Sequence, residues 1–193
     1  MPDSAAQTGP DPRAAMLLAQ LQAHAPADEL EASHQRAMLD LLEKGGRPLD
    51  RNHWQPGHFT ASSFVLSPDG QKLLLIFHGK LHRWLQPGGH VDAQDTDLQA
   101  AARREVQEET GLGELELLAP CPFDLDVHVI PARKSDPEHW HLDVRFLWRA
   151  QQWPIQAGDD AQGCQWVAPE DVDQLESDES VRRAVRKLGR LQR

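Results

Sequence analysis

The chain of 193 residues contains no tyrosine and only two cysteines. Cys121 and Cys164 show no metal-ligand spacing and no disulfide framework, and sparse free thiols suit a reducing, cytoplasmic compartment. Long apolar runs are missing too. The longest strongly apolar stretch is Leu73 to Phe77, too short for a transmembrane helix, so no membrane partner is expected. The opening residues include Pro2 and Asp3 and lack a basic n-region, so no signal peptide is expected. Positive charge is scarce: 20 Lys and Arg stand against 30 Asp and Glu, a net charge of -10. Nucleic-acid backbones require a basic footprint, so broad nucleic-acid binding is not expected. A small phosphorylated substrate held through metal ions remains compatible with this charge.

What is present points to one organised domain with an extension. Residues 1–12 are rich in Pro, Asp, Gly and Ala and are expected to be disordered. Apolar periodicity predicts a helix over about 13–24, with Met16, Leu17 and Leu21. A second is predicted over about 27–44, ending at Gly45-Gly46. This arm has two readings: it packs on the core or covers a sheet edge, or it forms a homodimer interface. Residues 1–50 are thus read as tail plus helical extension, and 51–193 as the main domain.

From Phe59 the pattern is that of strands. Phe59 to Leu66 and Lys72 to Phe77 flank Ser67-Pro68-Asp69-Gly70, a strong turn signal. Short strands follow at Leu81 to Gln86 and Glu114 to Leu118. Longer ones are expected at Phe123 to Ile130 and His139 to Ala150, and a last one at Gln165 to Val167. Pro169 suits the start of a helical turn, and a terminal helix is predicted over about Glu179 to Gln192. Its Arg182, Arg183, Arg186, Lys187 and Arg190 are read as a solvated face. Strands around one long helix, with a second helix at the end, give an α+β sandwich.

The long helix carries the chemistry. Thr96 is read as its N-cap, with Gln99 completing a capping box, and Gly111 as its C-terminal stop. Glu105, Glu108 and Glu109 fall within one arc of about 100°, set by the i, i+3, i+4 spacing. Leu98 and Ala101 lie on or near that arc, so the carboxylates run along the edge of the buried face. An isolated E-x-x-E-E is most simply a solvated acidic face. Partial burial makes clustered carboxylates costly, and a hard divalent cation relieves that cost because Mg²⁺ prefers oxygen ligands and substrate phosphates. The preceding Gly88-Gly89 lets the backbone turn tightly and bring a carbonyl close to an ion.

The stretch Gly89 to Leu112 resembles the Nudix box, G-x5-E-x7-R-E-U-x-E-E-x-G-U with U apolar. Gly89, Arg104, Glu105, Val106, Glu108, Glu109, Gly111 and Leu112 match. Two departures stand out. Asp95 occupies the position of the first Glu, and eight residues, not seven, separate it from Arg104. This reads as a loop one residue longer ahead of an intact helix.

The resemblance implies a Nudix-type α/β/α sandwich with a mixed sheet. It also implies an enzyme that uses Mg²⁺ or Mn²⁺ to cleave a pyrophosphate bond in a nucleoside diphosphate linked to another group. Glu105 and Glu109 are the first choice as metal ligands. Glu108 is either a third ligand or the base that activates water, and the carbonyl of Gly88 is a further ligand. Arg104 is expected to orient the glutamates, and Asp95 to hold the loop. Family members often take another acidic residue from a loop ahead of the last strand, where Asp159 and Asp160 stand here, with Asp160 the catalytic candidate. Signatures that mark substrates downstream of the box are missing: Val129 stands where ADP-ribose hydrolases carry proline. Ile130 stands where dinucleoside polyphosphate hydrolases carry tyrosine. Two other classes are kept open: a Nudix-fold nucleotide sensor without catalysis, and an isopentenyl diphosphate isomerase-like enzyme, which needs a catalytic cysteine.

Two strands suggest where substrate is read. Asp124, Asp126 and His128 alternate with Leu125, Val127 and Val129. His139, His141, Asp143 and Arg145 alternate with Trp140, Leu142, Val144 and Phe146. Alternation puts each polar set on one face. If the strands pair as a hairpin, the polar faces coincide. That face is expected to border the substrate cleft, with Arg145 on phosphate and His141 and Asp143 reading a sugar or base. Trp84 is a candidate stacking platform. His128 with His141 is a less favoured second metal pair.

Overall fold

A computed structural model describes residues 11–133, 136–158 and 161–191. The expectation for residues 1–12 therefore falls almost wholly outside the described residues. Helix α1 spans Pro12–Ala23, with Pro12 at its first position and the side chain of N-cap Asp11 accepting from the Arg13 N–H. Helix α2 spans Glu29–Glu43, and its N-cap Asp28 accepts from the Glu31 N–H at 2.8 Å. Both helices form because their apolar residues recur on one side. Leu17, Leu21, Met38 and Leu41 are all buried, and they join the larger of two apolar clusters. Each such side chain contributes roughly 1.5–3 kcal/mol of burial.

Eight strands form one sheet among the described residues. They are β1 Gly57–Leu66, β2 Leu73–His78, β3 Arg83–Leu85, β4 Gly88–His90, β5 Leu115–Leu117, β6 Asp124–Ile130, β7 His139–Ala150 and β8 Ala161–Val167. The centre is a long parallel pair, β1 with β7, running from Gly57↔Trp140 to Leu66↔Arg149. All other pairings are antiparallel, so the sheet is mixed. The central pair serves two half-sheets. Its first half is flanked by β4 on β1 and β6 on β7. Its second half is flanked by β2 and β5, with β3 and β8 beyond on β2.

Helix α3, Leu98–Thr110, packs with α1 and α2 on one face, over Phe59, Ala61, Leu142 and Val144. On the other face, helix α4, Glu179–Leu191, and the 3-10 turn Pro169–Gln174 cover Phe64, Leu73, Leu75 and Leu147. The result is the expected α/β/α sandwich. One cap differs from the sequence reading. Asp97, not Thr96, is the N-cap of α3, and its carboxylate accepts from the Ala100 N–H at 2.7 Å. Gln99 instead bonds Pro120 O at 2.8 Å. Adjacent Thr and Asp are both good caps, and local pattern does not choose between them. Gly111 ends the helix at φ 72, the left-handed conformation that glycine adopts without strain.

Helix α4 is not simply a solvated basic face. Arg183 forms two bonds of 2.8 Å to Asp124 and one of 3.0 Å to Leu125 O. Lys187 reaches Glu31 of α2 at 2.5 Å. Glu31 is fully buried and also meets His24 Nε2 at 2.8 Å and the Ala27 N–H at 2.7 Å. Burial pushes the Glu31 carboxyl up, but these hydrogen bonds outweigh it and hold the group at about 2 instead of 4.5. Between those two values the folded state binds fewer protons than the unfolded one. The stabilisation is complete above pH 4.5 and is lost as pH falls toward 2. Thermal melts of the wild type should therefore drop through this range, and Glu31→Gln should flatten the slope. An identical slope in the variant would contradict the assignment.

Candidate active site

The box loop between β4 and α3 is held by one guanidinium. Arg104 donates to both oxygens of Asp95, Nε at 3.1 Å and Nη2 at 3.0 Å. It also donates to His90 O at 2.9 Å, Glu105 Oε1 at 2.8 Å and Glu108 Oε2 at 3.0 Å. Asp95 is buried and accepts as well from the Asp92 N–H at 2.8 Å. A shorter carboxylate in a longer loop thus makes a two-pronged ion pair, the geometry that suits arginine. A second brace has no local sequence signal. Arg13 of α1 donates to Asp92 O at 2.7 Å and to Asp95 O at 3.1 Å.

Two glycines shape the floor under the glutamates. A Cβ on Gly89 would lie 2.5 Å from Glu105 Oε1, and one on Gly88 would lie 2.2 Å from the Ser62 Cβ. At Gly88 a side chain would collide with the β1 backbone, and at Gly89 it would displace the Glu105 carboxylate. The Gly88 N–H donates to Glu109 Oε2 at 3.0 Å. Burial pushes the Glu105 carboxyl up; Arg104 opposes the shift, and nearby Glu108 and Asp92 add to it. Glu108 is more open, with its side chain 57% exposed. Glu105, Glu108, Glu109 and Gly88 share the lining of one cleft of ≈ 1180 Å³. Their donors are oxygens throughout, the set that suits a hard divalent cation. A bound cation would also relieve the crowding of charge at Glu105.

The same cleft continues along the polar face of the sheet. Strands β6 and β7 do pair as the expected hairpin, with Asp124↔Arg145, Asp126↔Asp143 and His128↔His141 in register. His141, Asp143 and Arg145 all line the cleft. However, Arg145 is 1% exposed and does not point a free guanidinium at the opening. It bonds Asp143 at 2.8 Å, Asp124 at 3.1 Å and Ser180 Oγ at 3.2 Å, and pairs with Asp126 at 3.2 Å. Asp143 is equally engaged, accepting from Thr60 at 3.0 Å and Ser62 at 2.7 Å. Arg145 and Asp143 are thus engaged in a buried ion network, of which His141 is not a part. Burial pushes the Asp126 carboxyl up, but the Arg145 charge and the His128 bond outweigh it and hold the group low.

Trp84 is also displaced from its expected role. On β3 it alternates with Arg83 and Leu85, which line the cleft, so its ring lies on the other side. There it packs beside Phe77, centroid to centroid 5.3 Å. Asp159 and Asp160 lie outside the described residues. The chain leading to them runs against the end of α3, where Gly158 N donates to Glu109 O at 2.9 Å. The sequence reading did not single out Thr60, Ser62, His58 or His90. The alternation His58-Phe59-Thr60-Ala61-Ser62 was the available signal for three of them, since it puts the polar set on one face.

Known proteins resemble this chain over most of its length. The family model described as NUDIX domain matches residues 57–188. The rat protein named bis(5'-nucleosyl)-tetraphosphatase [asymmetrical] is 28% identical over 111 residues, covering 57% of this chain and 72% of the relative. An RNA pyrophosphohydrolase from Caulobacter vibrioides is 32% identical over 133 residues, covering 66% and 68%. Among solved structures, the binary complex of a C. elegans Ap4A hydrolase superposes with a TM-score of 0.55 at 20% identity, covering 69% of this chain and 96% of that one. The NUDIX domain of Shewanella oneidensis NrtR, solved with ADP ribose, gives a TM-score of 0.53 at 19% identity, covering 70% and 88%. With its box helix set against the Gly88-Gly89 floor and a family match across most of its length, the chain belongs to the Nudix family of pyrophosphohydrolases.

Proposed function

We propose that this chain hydrolyses the pyrophosphate bond of a nucleoside diphosphate linked to another group, using Mg²⁺ or Mn²⁺. The observation that carries the reading is the placement of Glu105 and Glu109 against the Gly88-Gly89 floor, with Glu108 on the lining of the same large cleft. Glu105, Glu109 and the Gly88 carbonyl would hold the cation. When bound, it supplies charge that neutralises phosphate oxygens and lowers the pKa of a water. The chain's own groups do the rest. Arg104 fixes the carboxylates of Glu105 and Glu108 so that little reorganisation is needed during reaction. Glu108, the most open of the three, takes the proton of the attacking water. The cleft wall beyond, of which His141 is part, accommodates the leaving half of the substrate.

The names of the relatives support a nucleotide anhydride as substrate, and their variety leaves the leaving group to experiment. The isomerase reading lacks its thiol, since neither Cys121 nor Cys164 lines the described cleft. The altered loop is the feature that favours a sensor, and the two-pronged Asp95–Arg104 pair supplies the brace that this alteration puts in question. The test is a panel of nucleotide sugars, ADP-ribose, dinucleoside polyphosphates, 5'-triphosphorylated RNA and free NTPs, with Mg²⁺ or Mn²⁺ and product identification. Turnover of at least one class, abolished by a chelator and restored by the metal, is the expected result. Binding of a nucleotide without turnover would turn the assignment to the sensor.

A further inference from the structure

Three histidines from three strands meet on the polar wall of the cleft. His58 of β1 stands in register with His141 of β7, and His90 of β4 stands opposite Thr60, the next residue of β1 on the same face as His58. Their ligand atoms all lie within 4.8 Å of one another, and they are the group of this kind found among the described residues. The ring centroids of His58 lie 4.8 Å from His141 and 5.1 Å from His90. Two further rings flank them but are engaged elsewhere. His128 Nδ1 bonds Asp126 at 3.0 Å, and His139 Nδ1 bonds Pro137 O at 2.7 Å. The pattern of β6 and β7 pairs His141 with His128, and the two rings do stand in register at 5.6 Å; the fold adds His58 and His90, whose rings lie nearer to His141.

His58 supplies the independent observation. It is 0% exposed, and its Nδ1 lies 3.4 Å from His53 O. A carbonyl only accepts, so Nδ1 carries the ring proton and Nε2 carries a lone pair. That Nε2 is buried and has no hydrogen-bond partner among the described residues. An unmatched buried acceptor is costly, so such groups call for a reason. A ring whose second nitrogen donates to a backbone carbonyl is the arrangement found in metal-bound histidine.

We propose that His58, His90 and His141 bind a transition cation of the Zn²⁺ class, at a site separate from the carboxylates of α3 and open to the same cleft. Three imidazoles select a borderline ion over Mg²⁺, which takes oxygen ligands. Zinc bonds of about 2.0–2.1 Å require nitrogens roughly 3.4 Å apart in a tetrahedral site. Small rotations of the half-buried His90 and His141 rings bring the three together. Because His90 and His141 line the cleft, the fourth position faces it and is available to an anionic group.

The test uses the full chain, dialysed against chelator and then titrated with Co²⁺ in excess Mg²⁺, which keeps the oxygen site filled. One equivalent of Co²⁺ should bind with the strong visible bands of four-coordinate nitrogen ligation, and Zn²⁺ should displace it. X-ray absorption should count about three imidazole ligands. His90→Gln and His141→Gln should each weaken Co²⁺ binding by about 10- to 100-fold or more, while Glu105→Gln leaves it unchanged. These two rings are chosen because buried His58 affects folding more directly. Melting curves of the variants establish that they remain folded. Absence of nitrogen-ligated Co²⁺ in the wild type overturns the proposal. So does binding that persists in the His90→Gln, His141→Gln double variant or is lost in Glu105→Gln. Metal binding, not turnover, is the readout, so this outcome and that of the hydrolysis assay are independent.

Discussion

Replacing Glu109 by Gln should lower kcat/KM by about 100-fold or more without unfolding the protein. The fold should survive because the amide oxygen of Gln can still accept from the Gly88 N–H, as Glu109 Oε2 does at 3.0 Å. What is lost is one negative charge at the cation site. A weaker cation raises the barrier of a reaction that depends on charge neutralisation, and each 1.36 kcal/mol is a tenfold loss. The variant should also need more Mg²⁺ or Mn²⁺ for half-maximal rate, a readout that a general packing defect would not move. Turnover that is undiminished at limiting metal would remove Glu109 from the site.

Replacing Arg145 by Met should cost stability, on the order of 3–5 kcal/mol. Its guanidinium is buried among Asp143, Asp124 and Asp126, all nearly inaccessible. Removing the one cation that touches all three leaves buried carboxylates short of charge. Arg183 still holds Asp124 and lies 3.5 Å from Asp126, but among the described residues no other cation pairs with Asp143. In a domain of this size each kcal/mol lowers Tm by about 2–4 °C, so melting should fall by on the order of 10 °C. A direct phosphate contact predicts the reverse: higher KM with Tm unchanged. Calorimetry and kinetics on one preparation separate the two roles.

Arg145 also shows what the sequence could and could not convey. Alternation along β6 and β7 was enough to pair the strands and to put Asp124, Asp126, Asp143 and Arg145 on one face. Alternation reports a face, not its depth. Depth is set by α4, whose Arg183 comes from far along the chain and closes over Asp124. The helix itself reads as solvated from sequence because its Arg and Lys spacing looks the same whether or not a buried carboxylate waits beneath. The glutamates of α3 were legible because helical spacing and the Gly88-Gly89 turn are local. The His58–His141 register was not, since parallel pairing of distant strands leaves no short-range mark. The α3 cap was missed by one residue because Thr96 and Asp97 are both competent.

The Arg13 contact has a consequence for how this protein can be divided. The family match begins at Gly57, yet the carbonyls of Asp92 and Asp95 are tied to a helix that lies before it. A fragment starting at the matched boundary would keep every box residue and lose a strut that holds the loop carrying Asp95. The same applies to chimaeras: grafting α3 and its loop onto a relative without an equivalent of Arg13 transfers the ligands but not their support. Here the heritable unit of the active site is wider than the motif that advertises it.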